Sequence, residues 1–218
     1  MRVLVIDSAT EACSVALFEN GQVVAGECRQ LGRGHAEHLV PMIAALPGSG
    51  RAERIAVNVG PGSFTGIRVG LAAARALGLA WNASVVGYGC LDLVAAMARE
   101  QHPDTAIDIV MSGGHGEWFF QPFGPDGRAL APTVSLVPDA VIAATRAPLV
   151  AGSQAEAVAT RNGAHALPLW PDARAFGALD EHAMIDDPAP IYGRAPDARL
   201  PQPRQQASRP EQGPTLSA

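Results

Sequence analysis

Three groups of residues in this chain have types and spacings that can do chemistry. The first is Gly60-Pro61-Gly62-Ser63-Phe64-Thr65-Gly66. An apolar run from Arg54 to Val59 leads into it, and a helical pattern from about Phe64 to Trp81 follows. Strand, glycine turn, polar cap and helix is an order that can hold a phosphate. Glycine lets another group approach the backbone, and the first turn of a helix presents unpaired N–H groups to an anion. The spacing of Gly60, Gly62 and Gly66 matches neither common phosphate-loop pattern. The turn therefore either holds a remnant phosphate site or simply launches a helix. The second group is Asp7-Ser8-Ala9-Thr10, at the end of the first strand. A carboxylate and two hydroxyls could hold a metal–phosphate group, but the same order is an ordinary polar turn, and spacing favours the turn. Asp7, Ser8, Thr10, Gly60, Gly62 and Ser63 make up the candidate remnant nucleotide-binding set. The third group is His35 and His38, with Glu37 between them. An i,i+3 pair needs a further ligand and none lies nearby in sequence, so no metal site is expected. Ser63, His115 and Asp139 could be drawn as a hydrolytic triad, but Ser63 lacks the glycine elbow such a nucleophile needs. No catalytic residue is assigned.

The elements that would position these groups follow from periodicity. Val3 to Ile6 is a short strand. Ser14–Phe18 and Gln22–Glu27 flank Asn20-Gly21, a strong hairpin signal. A two-residue turn there sets Leu17 opposite Val24 and Cys13 opposite Cys28, with the two thiols expected to stay reduced. His35 to Leu46 has apolar residues at helical spacing, and Pro41 predicts either a kink or a regular part that starts near His38. Arg54–Val59 and Ser84–Tyr88 are strands, and Leu91–Glu100 is a helix. The first hundred residues thus read βββαβαβα. A boundary falls near His102-Pro103-Asp104. Beyond it come strands at 107–111 and 117–123, a strand signal at 133–137, a helix from Pro138, a short strand at 148–151 and weaker helices at 154–161 and 173–182. The chain shows no internal sequence repeat. Three units result: a first lobe over 1–101, a smaller second lobe over 102–196, and a Pro-, Arg- and Gln-rich tail over 197–218, which is expected to be disordered.

The helix from Gly66 to Trp81 is apolar almost all round. Gly66, Gly70, Ala74 and Gly78 form a stripe of small residues, and only Arg68 and Arg75 are charged. Such a helix is buried on nearly every side. The stripe suits close contact with a helix of another chain, or a helix packed between this domain's own sheet and its neighbour.

Composition narrows the setting. The chain has 218 residues and a formal charge of −5, with no general basic field for nucleic acid. Its basic side chains are all arginine, which rules out lysine-amine chemistry. Three cysteines without a CxxC pair indicate a reducing compartment. No apolar run approaches the ~20 residues of a membrane span, so no membrane association and a cytoplasmic location are expected.

Asp7 to Leu17, then His35-Ala36-Glu37-His38-Leu39-Val40-Pro41, then Gly60 to Leu71 resemble the TsaB (YeaZ) family. Pro190-Ile191-Tyr192-Gly193-Arg194 is similar to that family's Pro-x-Tyr-Leu-Arg, with glycine for leucine. The resemblance covers about residues 1 to 195. Where the family often carries Asp-Ala-Arg, this chain has Ser112-Gly113-Gly114. The resemblance implies an α/β, actin-like, RNase H-like ATPase (ASKHA) fold in two lobes. It also implies a non-catalytic scaffold that pairs with TsaD, with TsaE as a further subunit, in forming threonylcarbamoyladenosine on tRNA beside the anticodon. tRNA would be met indirectly through that complex, ATP or ADP would be bound only there, and a homodimer would form when the chain is alone. The implied interface comprises His35, His38, Leu39, Met42 and Ile43 on one helix, with Gly66, Arg68, Gly70, Leu71, Ala74, Arg75 and Gly78 on the other. The competing reading is an active ATPase or kinase of the same fold, which would need a second phosphate loop and an adenosine pocket. A metal-dependent hydrolase would need a metal at His35 and His38.

Overall fold

β1 (Arg2–Asp7) has no polar face. Leu4 and Ile6 point to one side of the sheet and Val5 to the other, and all three are fully buried. A strand apolar on both faces belongs in the middle of a covered sheet. In this computed structural model, which describes residues 1–193, β1 pairs with β2 (Ala12–Glu19) antiparallel on one side and with β4 (Arg54–Asn58) parallel on the other. β3 (Gln22–Gln30) extends the sheet beyond β2, and β5 (Ser84–Tyr88) extends it beyond β4. Helices α1 (His35–Ala45) and α2 (Phe64–Trp81) make the crossovers, and both lie on the Leu4–Ile6 face. α3 (Cys90–Gln101) covers the opposite face through Leu93 and Met97.

The second sheet repeats this plan. β6 (Ile107–Gly114), β7 (Glu117–Phe123) and β8 (Val134–Leu136) form an antiparallel meander. After α4 (Pro138–Ala144), β9 (Leu149–Ala151) runs parallel to β6. After α5 (Ala155–Asn162), β10 (His165–Leu167) runs parallel to β9. The strand order β3-β2-β1-β4-β5 thus recurs as β8-β7-β6-β9-β10. A duplicated topology is present although no sequence repeat marks it. α3 is shared: Leu91, Val94, Ala95 and Ala98 pack on Ile107, Ile109 and Met111 of the second sheet. The layers therefore run α1/α2, first sheet, α3, second sheet, α4/α5, and the expected two-lobed α/β class is what forms.

Four details depart from expectation. The β2–β3 hairpin contains a bulge at Leu17/Phe18: Phe18 pairs with Val23, but Leu17 pairs with Ala25. One extra residue shifts the register, so Cys13 faces Arg29, and Cys28 faces Ser14. Side chains alternate across the sheet, which sends Cys13 into the α1/α2 core and Cys28 to the other face. The two thiols are not cross-strand partners. Second, Pro41 lies inside an unbroken α1 that begins at His35. Third, the 173–182 stretch forms only short 3-10 turns, Ala173–Ala178 and Glu181–Ala183. Fourth, the chain does not stay in the second lobe up to 196. Ala173 N–H donates to Ser14 Oγ at 2.9 Å, and β11 (Ile185–Asp186) pairs with β5 at the edge of the first sheet. The tail over 197–218 lies outside the described residues, as does Arg194.

The small-residue stripe of α2 also has a definite place. A Cβ added at Gly66 would strike the Ser8 carbonyl. One at Gly70 would lie 2.5 Å from Ser8 Oγ, and one at Gly78 would lie 2.6 Å from Val85 Cγ2. Ala74 is fully buried. The stripe is the face by which α2 sits on its own sheet. Gly70→Leu should therefore cost stability, about 1–3 kcal/mol or more for an overpacked core, while Ala76→Leu on the exposed side should change it little. Urea unfolding of the two variants checks this. Equal stability of Gly70→Leu and the parent would contradict the packing.

Candidate functional site

Two places gather the candidate residues: the C-terminal ends of β1, β4 and β5, and the outer face of α1 and α2. At the first, three neighbouring parallel strands end in Asp7, Asn58 and Tyr88. All three side chains are buried. Asn58 Nδ2 donates to Asp7 Oδ2 at 2.6 Å, and Tyr88 Oη lies 3.1 Å from the same oxygen. Ala9 N–H donates to Asp7 Oδ1 at 3.2 Å. The other end of the Asn58 amide accepts from Gly60 N–H at 2.8 Å, and the Gly60 carbonyl accepts from Cys90 N–H at 2.8 Å. Gly60 has φ 105, a conformation that a side chain rarely tolerates. A single amide thus ties the carboxylate of β1 to the glycine turn after β4. Burial pushes the Asp7 carboxyl up to about 7, outweighing the Asn58, Ala9 and Tyr88 hydrogen bonds that favour its charged form. The Cys90 thiol is pushed well above its usual range, again mainly by burial.

The remaining members of the nucleotide-binding set are committed to internal bonds. Ser8 Oγ donates to the Gly66 carbonyl at 2.8 Å. Thr10 Oγ1 accepts from Ala12 N–H at 3.2 Å. Ser63 Oγ accepts from Gly66 N–H at 3.3 Å and caps α2, while Ser63 N–H donates to the Ala9 carbonyl at 2.6 Å. A Cβ on Gly62 would strike that same carbonyl. The two loops that offer candidate phosphate ligands are pressed against each other. Sequence reasoning placed Asp7 but missed Asn58 and Tyr88. Their signal was position: each ends a parallel strand beside β1.

The helix residues divide by exposure. His35, Leu39, Met42, Ile43, Gly66, Gly70, Leu71, Ala74 and Gly78 are buried within the chain, whereas His38, Arg68 and Arg75 are exposed. The buried ones cannot touch a partner directly, because they fill the α1/α2 layer against the sheet. What faces outward is a different set. α1 shows Ala36, Val40 and Ala44 at four-residue spacing, and α2 shows Ala72, Ala76, Leu79 and Ala80. Leu79 is 88% exposed, Val40 59% and Phe64 50%. No acidic residue occurs between Glu53 and Asp92, so α2 carries none. An unusually bare apolar face remains on two adjacent helices. Among the described residues, no three His, Cys, Asp or Glu side chains are placed to hold a metal ion. Among them, too, no helix is long and apolar enough to cross a membrane.

The segment after β11 returns to α2. Ile191 N–H donates to the Val59 carbonyl at 2.7 Å, and Arg75 Nη2 donates to the Pro188 carbonyl at 2.8 Å. Arg68 Nε donates to Tyr192 Oη at 2.9 Å, with its Cζ 3.6 Å from the centre of the Phe64 ring. The Phe64 and Tyr192 ring centres lie 4.8 Å apart with the planes tilted by 32°.

Comparison with known proteins agrees with the geometry. Residues 29–173 match the profile of the family described as TsaD: tRNA N6-adenosine threonylcarbamoyltransferase. The tRNA threonylcarbamoyladenosine biosynthesis protein TsaB of Escherichia coli is 34% identical over 135 residues, 60% of this chain and 58% of that protein. The chain spans little more than half the length of the first TsaB relatives it matches. An uncharacterised protein of Mycobacterium tuberculosis is 32% identical over 209 residues, 90% of this chain and 93% of its own. The solved structure of YeaZ from Pseudomonas aeruginosa superposes with a TM-score of 0.72 at 26% identity, over 88% of this chain and 99% of that one. The fold is accordingly the actin-like, RNase H-like ATPase fold.

The raised Asp7 pKa gives a pH signature. In the unfolded chain the carboxyl titrates near 3.8, in the folded one near 7, so between these values the folded state binds the extra proton. Its contribution to stability is full below about pH 4 and is lost as pH rises towards 7. Urea unfolding from pH 4.5 to 8 should show this decline in the parent, by up to about 1.4 kcal/mol for each step of one in pH between the two values. It should be absent in Asp7→Asn, whatever that variant's overall stability. Parallel pH curves would show that Asp7 is not the titrating group.

Proposed function

The chain belongs to the TsaD family, on its TsaB (YeaZ) branch, and from that premise we propose that it is a non-catalytic scaffold subunit in tRNA threonylcarbamoyladenosine formation. Its partner is a TsaD-type subunit, with a TsaE-type subunit completing the assembly. One observation carries the reading: the outer face of α1 and α2, where Val40 and Leu79 stand exposed among alanines. The side chains of the candidate nucleotide-binding set support the same reading, since Ser8 Oγ donates to the Gly66 carbonyl and the Thr10 and Ser63 hydroxyl oxygens each accept a backbone N–H within the chain. ATP or ADP belongs, in this reading, to the assembled complex. The alternative, an ATPase or kinase active alone, requires those loops to part, and calorimetry with ATP and magnesium on the isolated chain separates the two. Without its partner the chain covers the same face with a second copy of itself.

The buried glycine stripe is not a usable test of docking, because changing it breaks the core first. Leu79 and Val40 are usable, being exposed. Leu79→Arg and Val40→Arg should each leave the unfolding midpoint within a degree or two of the parent and weaken the complex with purified TsaD at least about tenfold. Sedimentation of the mixture measures this. An undisturbed complex in both variants would remove α1 and α2 from the interface.

A further inference from the structure

Phe64, Arg68 and Tyr192 form a cluster in which an arginine of the implied interface meets the strap after β11, away from Val40 and Leu79. It sits at the N-terminal end of α2, about 22 Å along the helix from Leu79, at 1.5 Å per residue over fifteen residues. Arg68 is exposed but held in place: its Nε bonds to Tyr192 Oη at 2.9 Å, and its guanidinium lies 3.6 Å from the centre of the Phe64 ring. No described carboxylate pairs with it. Its four other N–H groups sit on a guanidinium already fixed in orientation. Phe64 is 50% exposed and Tyr192 38%, so ring surface remains open beside that cation. Thr65 adds an exposed residue with a hydroxyl group at the helix start.

We propose that this cluster is a direct contact for a single-stranded segment of RNA, with a base stacked on the Phe64–Tyr192 pair and a phosphate on Arg68. The inference rests on the reading that the chain works on tRNA, and it replaces a purely indirect encounter with a local one. A fixed guanidinium beside partly exposed aromatic rings is a combination by which proteins hold unpaired bases. An acidic protein surface would use the cation but leave the ring faces idle. The charge of α2 and of the sequence after Gly193 points the same way. The nearest acids in sequence before and after α2 are Glu53 and Asp92, and just before the strap that supplies Tyr192 they are Asp186 and Asp187. Residues 194–218, which follow directly on Gly193, hold Arg194, Arg199, Arg204 and Arg209 against Asp197 and Glu211. Four positive charges against two negative make that end basic in a chain whose net charge is −5.

The test uses the full chain without partners and an unmodified tRNA transcript, with binding read by fluorescence anisotropy at low and moderate salt. Arg68→Ala and Tyr192→Ala should each weaken binding about tenfold, and Tyr192→Phe, which keeps the ring, should bind within about threefold of the parent. Arg68→Ala should also flatten the salt dependence by about 0.7 in the log–log slope, one phosphate contact to a single strand. Arg161→Ala, an exposed arginine on α5, should change nothing. Circular dichroism melting of each variant confirms that it is folded. Transcript binding equal to the parent's in both alanine variants would overturn the proposal. So would unchanged transcript binding combined with loss of the TsaD complex, which would assign the cluster to protein docking. Failure of the parent to bind TsaD at all would strike the scaffold reading instead, and the transcript measurement on the isolated chain would still decide this one.

Discussion

The hydrogen bond from Asn58 to Asp7 is the contact on which the first lobe turns. It joins the ends of two parallel strands, and its other end holds Gly60 N–H in a backbone conformation suited to glycine. From Gly60 the chain enters the Ser63 cap and then α2, so the direction of the longest helix is set by a buried amide. A carboxyl buried this deeply without a cation is costly when charged, which is why its pKa rises rather than its surroundings changing. Polar knots of this kind specify geometry at the expense of stability. The carboxylate whose spacing suits a metal–phosphate group is here bonded to Asn58, Tyr88 and the Ala9 N–H.

With α2 aimed by that anchor, its glycine stripe does the rest. Small residues at every fourth position let the helix lie close on β1 and the Ser8–Ala9 turn. Close seating turns Leu71 and Ile67 inward and leaves Ala72, Ala76 and Leu79 outward. The stripe therefore matters to any partner only through the face it causes to be presented. The strap from Pro188 to Gly193 adds a second constraint, since it pins Arg75 and Arg68 from outside the helix. Two arginines that could sweep solvent are thereby held at set positions on an otherwise apolar surface.

Much of this was legible in the chain itself. Strand and helix order through the first hundred residues follows from periodicity, and the bounds of α2 and β5 coincide with their patterns. What escaped reading has physical causes. A bulge adds one residue to β3, and no composition signal marks it, so the cysteine pairing inferred from a simple hairpin came out wrong. The glycine stripe fits a sheet as well as it fits a helix, because both present ridges at close approach; pattern gives the closeness but not the partner. β11 is two residues long and pairs with a strand a hundred residues earlier, which no local window can detect. Asn58 and Tyr88 became visible as site residues only once three strand ends were brought side by side.

The duplicated topology sharpens the functional argument. After β4 the chain turns at Gly60, and after β9, its counterpart, it turns at Gly152, with φ values of 105 and 116. The helices that follow differ: α2 has 18 residues, α5 has eight. If both halves served only to clamp a ligand between them, there would be no reason for one to carry an extra apolar turn after turn. The surplus length of α2 runs from about Ala72 to Trp81 and includes Leu79, the most exposed large apolar side chain described. Length beyond what the crossover needs costs chain entropy, and burying its inner stripe offsets part of it. Its outer apolar surface is offset only by another surface laid against it. The asymmetry between the halves thus lies in an outer apolar length of α2 that the second lobe lacks, and that length is where the proposed docking surface stands.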